Sequence, residues 1–162
     1  MTKSSTGIDD KRMATTSPVT EASPPSSRTI TDAIESELAA HEVITVLADA
    51  SRLPEWAPGF ADQVDGSASV GWQVTKNGRS FPLRVLVDAA AGTVDYLREI
   101  APGRLGGAYL RSVPRPGGGS VIAMTMPVLP EVGATDSRAV LHSELAGLGR
   151  LLFRLHDEGS KA

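Results

Sequence analysis

The chain has 162 residues, which suits one domain and leaves too little for a second of full size. With 41% hydrophobic and 22% charged residues its composition is that of an ordinary globular protein, and the lack of cysteine excludes disulfides, thiolate catalysis and cysteine-based zinc or iron–sulfur sites. The net charge of -3 removes the basic footprint of a nucleic-acid binder, and no apolar run nears the roughly 18 residues a bilayer requires. A few N-terminal charges have no apolar core behind them, so the expectation is a cytoplasmic protein without a secretory signal or stable membrane insertion.

Residues 1–28 hold six Ser, five Thr and three Pro, with Ile8 and Val19 the only branched aliphatics. Such a segment cannot bury enough apolar surface to offset the entropy of ordering it, which predicts a disordered tail followed by one folded domain over residues 29–162. Asp9, Asp10 and Glu21 interrupt the stretch and argue against an organelle transit peptide.

The folded part opens with period-two spacing over Thr29–Leu38, where Ile30, Ile34 and Leu38 share one face of a strand. His41–Ala50 changes period: Val43, Val46, Leu47 and Ala50 form the apolar stripe of a short helix. Pro54 and Pro58 bar any long continuation, so Leu53–Phe60 reads as a turn or a second short helix. Strand-like runs follow at Val70–Thr75, Phe81–Val87, Thr93–Ile100, Ala108–Val113 and Val121–Val128, with a further short one at Phe60–Val64. Turn signals separate them at Asn77-Gly78, Ala91-Gly92, Pro102-Gly103 and Gly117-Gly118-Gly119.

A long helix is predicted from Asp136 to Asp157, capped by Thr135 or Asp136. Leu141, Leu145, Leu148, Leu152 and Leu155 form its narrow apolar stripe, with Arg150 and Arg154 opposite. Gly147 and Gly149 each cost about 1 kcal/mol against alanine in a helix interior; either they admit a strand at close range or they are neutral drift. The fold class is therefore α+β: a curved antiparallel sheet of six to seven strands wrapped around a long C-terminal helix, with two short helices after strand 1.

This order, and several local motifs, resemble the START-like SRPBCC superfamily, the helix-grip fold of pollen-allergen proteins and polyketide cyclases. The likeness is densest in V-L-A-D-A-S-R-L-P-E-W-A-P-G-F at Val46–Phe60, where that family has a helix followed by an L-P-x-W-x-P-like turn. Gly92-Thr93-Val94-Asp95-Tyr96, Arg111-Ser112-Val113-Pro114, Gly119-Ser120-Val121 and Glu144-Leu145 are similar to an uncharacterised bacterial subgroup. Similar sequences often carry His where this chain has Tyr96, so chemistry resting on that imidazole does not transfer. The resemblance implies a cavity between sheet and long helix for a lipophilic or amphipathic small molecule, without a cofactor, in a monomer or homodimer.

Alternation makes Phe81, Leu83, Val85 and Val87 one inward set and Ser120, Ile122, Met124, Met126 and Val128 another. With Trp56, Phe60, Leu141, Leu145 and Leu148 they are expected either to line the cavity or simply to fill the core. Trp56, in its proline-framed turn, reads as a plug packed on Phe60 and the long helix, or as a ligand-stacking ring at the mouth. The bulkier face of Thr93–Ile100 carries Val94, Tyr96, Arg98 and Ile100, and the next strand groups Tyr109, Arg111 and Val113. If both faces point inward, two Tyr and two Arg converge, able to clamp an anionic or enolate oxygen or else to pair on a wet face.

Glu144 lies about 60° from the centre of the leucine stripe, where it is a candidate general base if buried and a solvated flank residue otherwise. His142 is expected to be exposed, and His41, His142 and His156 lack ligand spacing, so no metal site is expected. Three functional readings follow. The first is binding of a lipophilic small molecule. The second is a polyketide cyclase or dehydratase that activates a carbonyl with Tyr96, Arg98 and Arg111, with Glu144 as a further catalytic candidate. The third is a non-catalytic protein-interaction module.

Overall fold

The computed structural model describes residues 28–128 and 132–161. The expected disordered tail, but for Arg28, lies outside the described residues. Seven antiparallel strands form one sheet in the order β1-β7-β6-β5-β4-β3-β2. They are β1 (Thr29–Ser36), β2 (Gln63–Ser67), β3 (Gly71–Lys76), β4 (Arg79–Asp88), β5 (Thr93–Ala101), β6 (Arg104–Pro114) and β7 (Ser120–Pro127). Helix α1 (Ala40–Ala48), a single 3₁₀ turn and the short α2 (Leu53–Trp56) connect β1 to β2, and α3 (Ala134–Gly159) follows β7. The expected α+β helix-grip architecture is what forms. Among the described residues no helix is long and apolar enough to cross a membrane.

The core lies where the inner sheet face meets the helices. Leu141, Leu145, Leu148, Leu151 and Leu152 of α3 and Val43, Ile44 and Leu47 of α1 join Ile30, Val74, Leu83, Val94, Tyr96, Leu110, Ile122 and Met124 in one buried cluster. Leu155 packs only at its margin, because the stripe outruns the sheet at the end of α3. Val87, expected inside, is about half exposed near the end of β4.

Boundaries differ where backbone hydrogen bonds override side-chain pattern. The Ala57 carbonyl accepts from the amides of Phe60 and Ala61, a turn that holds β2 back to Gln63 instead of Phe60. Helix α3 begins at Ala134, its N-cap is Gly133, and the Ser137 hydroxyl donates back to the Gly133 carbonyl at 2.7 Å; neither Thr135 nor Asp136 caps it. Strand β6 starts at Arg104, four residues ahead of the expected Ala108, and runs through Gly106 and Gly107. A side chain at Gly107 would lie 1.7 Å from the Tyr96 carbonyl oxygen, so only glycine permits that pairing.

The largest correction is to β6. Ala101 pairs with Arg104 across the Pro102-Gly103 turn, yet Glu99 pairs with Leu105, leaving Ile100 as a bulge. Continued without the bulge, the register would set Tyr109 opposite Tyr96. The one-residue shift sets Ala108 there and turns Tyr109, Arg111 and Val113 outward. Tyr109 is accordingly 41% exposed and Arg111 is exposed, while Leu110 and Ser112 are buried.

Candidate functional site

A cavity of about 100 Å³ lies between the sheet and the helices. One wall is α2 and the turn after it, with Leu53, Trp56, Ala57 and Phe60; β5 supplies Tyr96, Arg98 and Ile100. Gly107 and Ala108 of β6, Met126 and Pro127 of β7, and Glu144 of α3 complete it. Leu53, Trp56, Ala57, Tyr96 and Glu144 are buried and make the floor; Phe60, Arg98, Ile100, Met126 and Pro127 are half-buried and make the rim.

Trp56 is placed by the proline-framed α2, which packs directly on α3 at Gly147. Its ring tilts against Tyr96 at 5.9 Å between centroids, while Phe60 meets Phe81 edge-on at 5.6 Å. The Trp56 indole N–H is buried and has no acceptor among the described residues. Tyr96 projects inward from β5 and donates its hydroxyl proton to the Leu47 carbonyl, one of the four that α1 leaves open at its C-terminus. Burial, followed by the negative charge of Asp49, holds the phenol well above its usual range, so it stays protonated as a donor. Tyr96→Phe is expected to lower the unfolding free energy by about 1–2 kcal/mol, read from a urea melt, because the Leu47 carbonyl is left buried and unpaired.

Arg98 lies over the Phe81 ring, 5.2 Å from its centroid, and has no carboxylate partner among the described residues. Glu144 is only 7% exposed. No described residue hydrogen-bonds to its carboxyl, and burial alone pushes its pKa up to about 7. Being on the flank of the leucine stripe did not leave it solvated, because α2 closes over that flank.

Of the residues singled out from sequence, Trp56, Phe60, Tyr96, Arg98, Met126 and Glu144 come together around the cavity. Phe81, Leu83, Val85, Ile122, Met124, Leu141, Leu145 and Leu148 pack in or against the core without lining it. Tyr109 and Arg111 are on the outer face, and the expected convergence of two Tyr and two Arg does not occur. Arg111 instead borders a broad open depression with His41 and the 89–92 turn. His142 is about half exposed, as expected, and contacts Asp32 of β1 at 2.7 Å, a partner that sequence spacing could not reveal. Leu53, Ala57, Gly107, Ala108 and Pro127 were missed. Ala108 had no sequence signal, because the bulge that decides which β6 residue faces Tyr96 is visible only in the pairing.

No family model and no curated protein matches the sequence. Solved structures do match. A START superfamily protein from Mycobacterium smegmatis superposes with a TM-score of 0.52 at 13% identity, over 76% of this chain and 93% of that one. The chain has the START-like, SRPBCC-type fold. The same fold appears in the di-domain ARO/CYC BexL from the BE-7585A biosynthetic pathway, with a TM-score of 0.58 and 21% identity over 76% of this chain and 46% of BexL. An uncharacterised protein from Bacillus thuringiensis gives a TM-score of 0.58 and 14% identity over 76% of this chain and 98% of its own. At these identities the START-like fold is what the likeness establishes, and function has to be argued from the cavity.

Proposed function

We propose that the chain binds a small lipophilic or amphipathic molecule in the cavity between the sheet and α3. The observation that carries this is a recess in the core, walled almost wholly by apolar side chains, with Glu144 and Arg98 as its charged groups. The recess opens at a rim of half-buried side chains, so a molecule can enter from solvent, and its apolar walls favour an apolar occupant over water. Ligand sites commonly measure roughly 300–1,000 Å³. This one therefore suits a single ring or the end of a chain, with the remainder at the rim.

Native mass spectrometry of the purified protein tests the reading. The expected result is a small apolar molecule released on activation, or taken up from a panel of single-ring compounds. Ala108→Leu is expected to fill the recess, abolish uptake and raise the unfolding free energy by roughly 1–2 kcal/mol through added apolar burial. A wild-type protein that carries nothing and takes up nothing overturns the proposal.

A catalytic reading of the same cavity is favoured by the placing of a buried carboxyl, Glu144, in its floor, where burial pushes the pKa up to about 7 and suits the group to general-base work. Arg98 would polarise a carbonyl at the rim. Tyr96 is committed to the Leu47 carbonyl and Arg111 is on the outer face, so two of the four candidate groups remain for such chemistry. Glu144→Gln abolishing turnover of a carbonyl substrate while leaving its binding intact would support this second reading.

A further inference from the structure

The floor of the cavity holds one polar group whose hydrogen-bonding capacity is unmet by the described residues, the Glu144 carboxyl on α3. The Trp56 indole N–H lacks a partner too, but it is sealed within the packing. Around Glu144 the floor is apolar: Leu53, Ala57, the Trp56 ring and the Tyr96 ring, whose hydroxyl is already occupied elsewhere. Burying a carboxyl without a partner is costly, and the cost is recovered when something enters that can hydrogen-bond to it.

We propose that the cavity selects a compact apolar molecule bearing a hydroxyl group, a phenol or short-chain alcohol, that enters hydroxyl-first and hydrogen-bonds to Glu144. This rests on the cavity being the binding site proposed above, and it adds the chemical class of the ligand and its orientation. The charges at the two ends choose the head group. An ammonium would have to pass Arg98, which stands at the rim over the Phe81 ring with no carboxylate partner among the described residues. A carboxylate would meet Glu144 as a like charge at the floor. A ketone only accepts, so it has nothing to give an ionised Glu144. A hydroxyl both donates and accepts, which suits a carboxyl that titrates near neutral pH in either of its states. The rim then receives the apolar remainder between Phe60, Ile100 and Met126.

Phenol and toluene form the matched pair for the test, since hydroxyl and methyl have nearly the same size. Their dissociation constants are to be measured by NMR titration against wild type, Glu144→Leu and Glu144→Gln. The expected result is a phenol-over-toluene preference that falls about tenfold in Glu144→Leu, the worth of one hydrogen bond, and is largely kept in Glu144→Gln. The leucine variant removes a buried charge and is expected to fold, and the glutamine variant keeps the shape as well as a donor and an acceptor. An equal preference in all three proteins overturns the anchoring role while leaving the cavity as a binding site. Failure of both probes to bind wild type overturns the binding reading and this inference together.

Discussion

Replacing Gly147 by alanine is expected to lower the unfolding free energy by about 2–4 kcal/mol, against the usual gain of about 1 kcal/mol for that change inside a helix. The reason is the packing of α2 on α3. A Cβ at Gly147 would lie 2.1 Å from the Trp56 carbonyl oxygen and 2.9 Å from its carbonyl carbon, both backbone atoms that cannot rotate away. Relief would require α2 to lift, and α2 is tied down. Glu55 bonds Arg52 at 2.9 Å and Arg154 of α3 at 2.5 Å, while the Trp56 ring is wedged against Tyr96. Gly149→Ala is the control: its Cβ would sit 3.6 Å from the Ile34 Cδ1, an ordinary contact, and it is expected to stabilise by up to about 1 kcal/mol. Urea midpoints of the two variants decide the matter, and equal stabilisation by both would show that α2 does not lie against Gly147.

Glu144 gives the second large effect. Its pKa rises from the ordinary 4.5 to about 7 in the folded chain, through burial. Below 4.5 the group is protonated in both the folded and unfolded states and stability is unaffected. Between 4.5 and 7 the unfolded chain has released a proton that the folded chain still holds, so stability falls as the pH rises, and above 7 the loss levels off. A displacement of this size amounts to about 3 kcal/mol. Glu144→Gln cannot titrate, so its stability relative to wild type is expected to climb by that amount between pH 4 and pH 8. The difference between the two proteins cancels every other titrating group. Denaturant melts across that range measure it, and a flat difference would contradict the burial of this carboxyl.

Much of the architecture was legible because the strongest patterns were also the deepest packed. The leucine stripe of α3 and the turns at Asn77-Gly78 and Pro102-Gly103 located the long helix and the meander. The orientation of β6 was not legible, since alternation leaves two faces and the choice was made by an extra residue at Ile100. Nothing in the pattern of Ala108–Val113 marks a bulge four strand positions away. Glu144 was ambiguous for a different reason. A helical wheel gives an angle from the stripe but says nothing of what overhangs it, and the overhanging piece is α2, brought there by the absence of a side chain at Gly147. The resemblance carried by Val46–Phe60 pointed to Trp56 as a cavity residue, while the size of the cavity depends on how residues far apart in sequence fail to touch.

The pairing of β1 with β7 has a consequence for how the molecule is made. Thr31 faces Thr125 and Ile34 faces Ile122, so β1, the first strand among the described residues, waits for β7 before it joins the sheet. Until then β1 is an unclaimed edge carrying Ile30 and Ile34, open to pairing with neighbouring nascent chains. Strands β2 to β7 pair with their neighbours in sequence, so the contacts of β1 with β7 and α3 are the ones expected to close last.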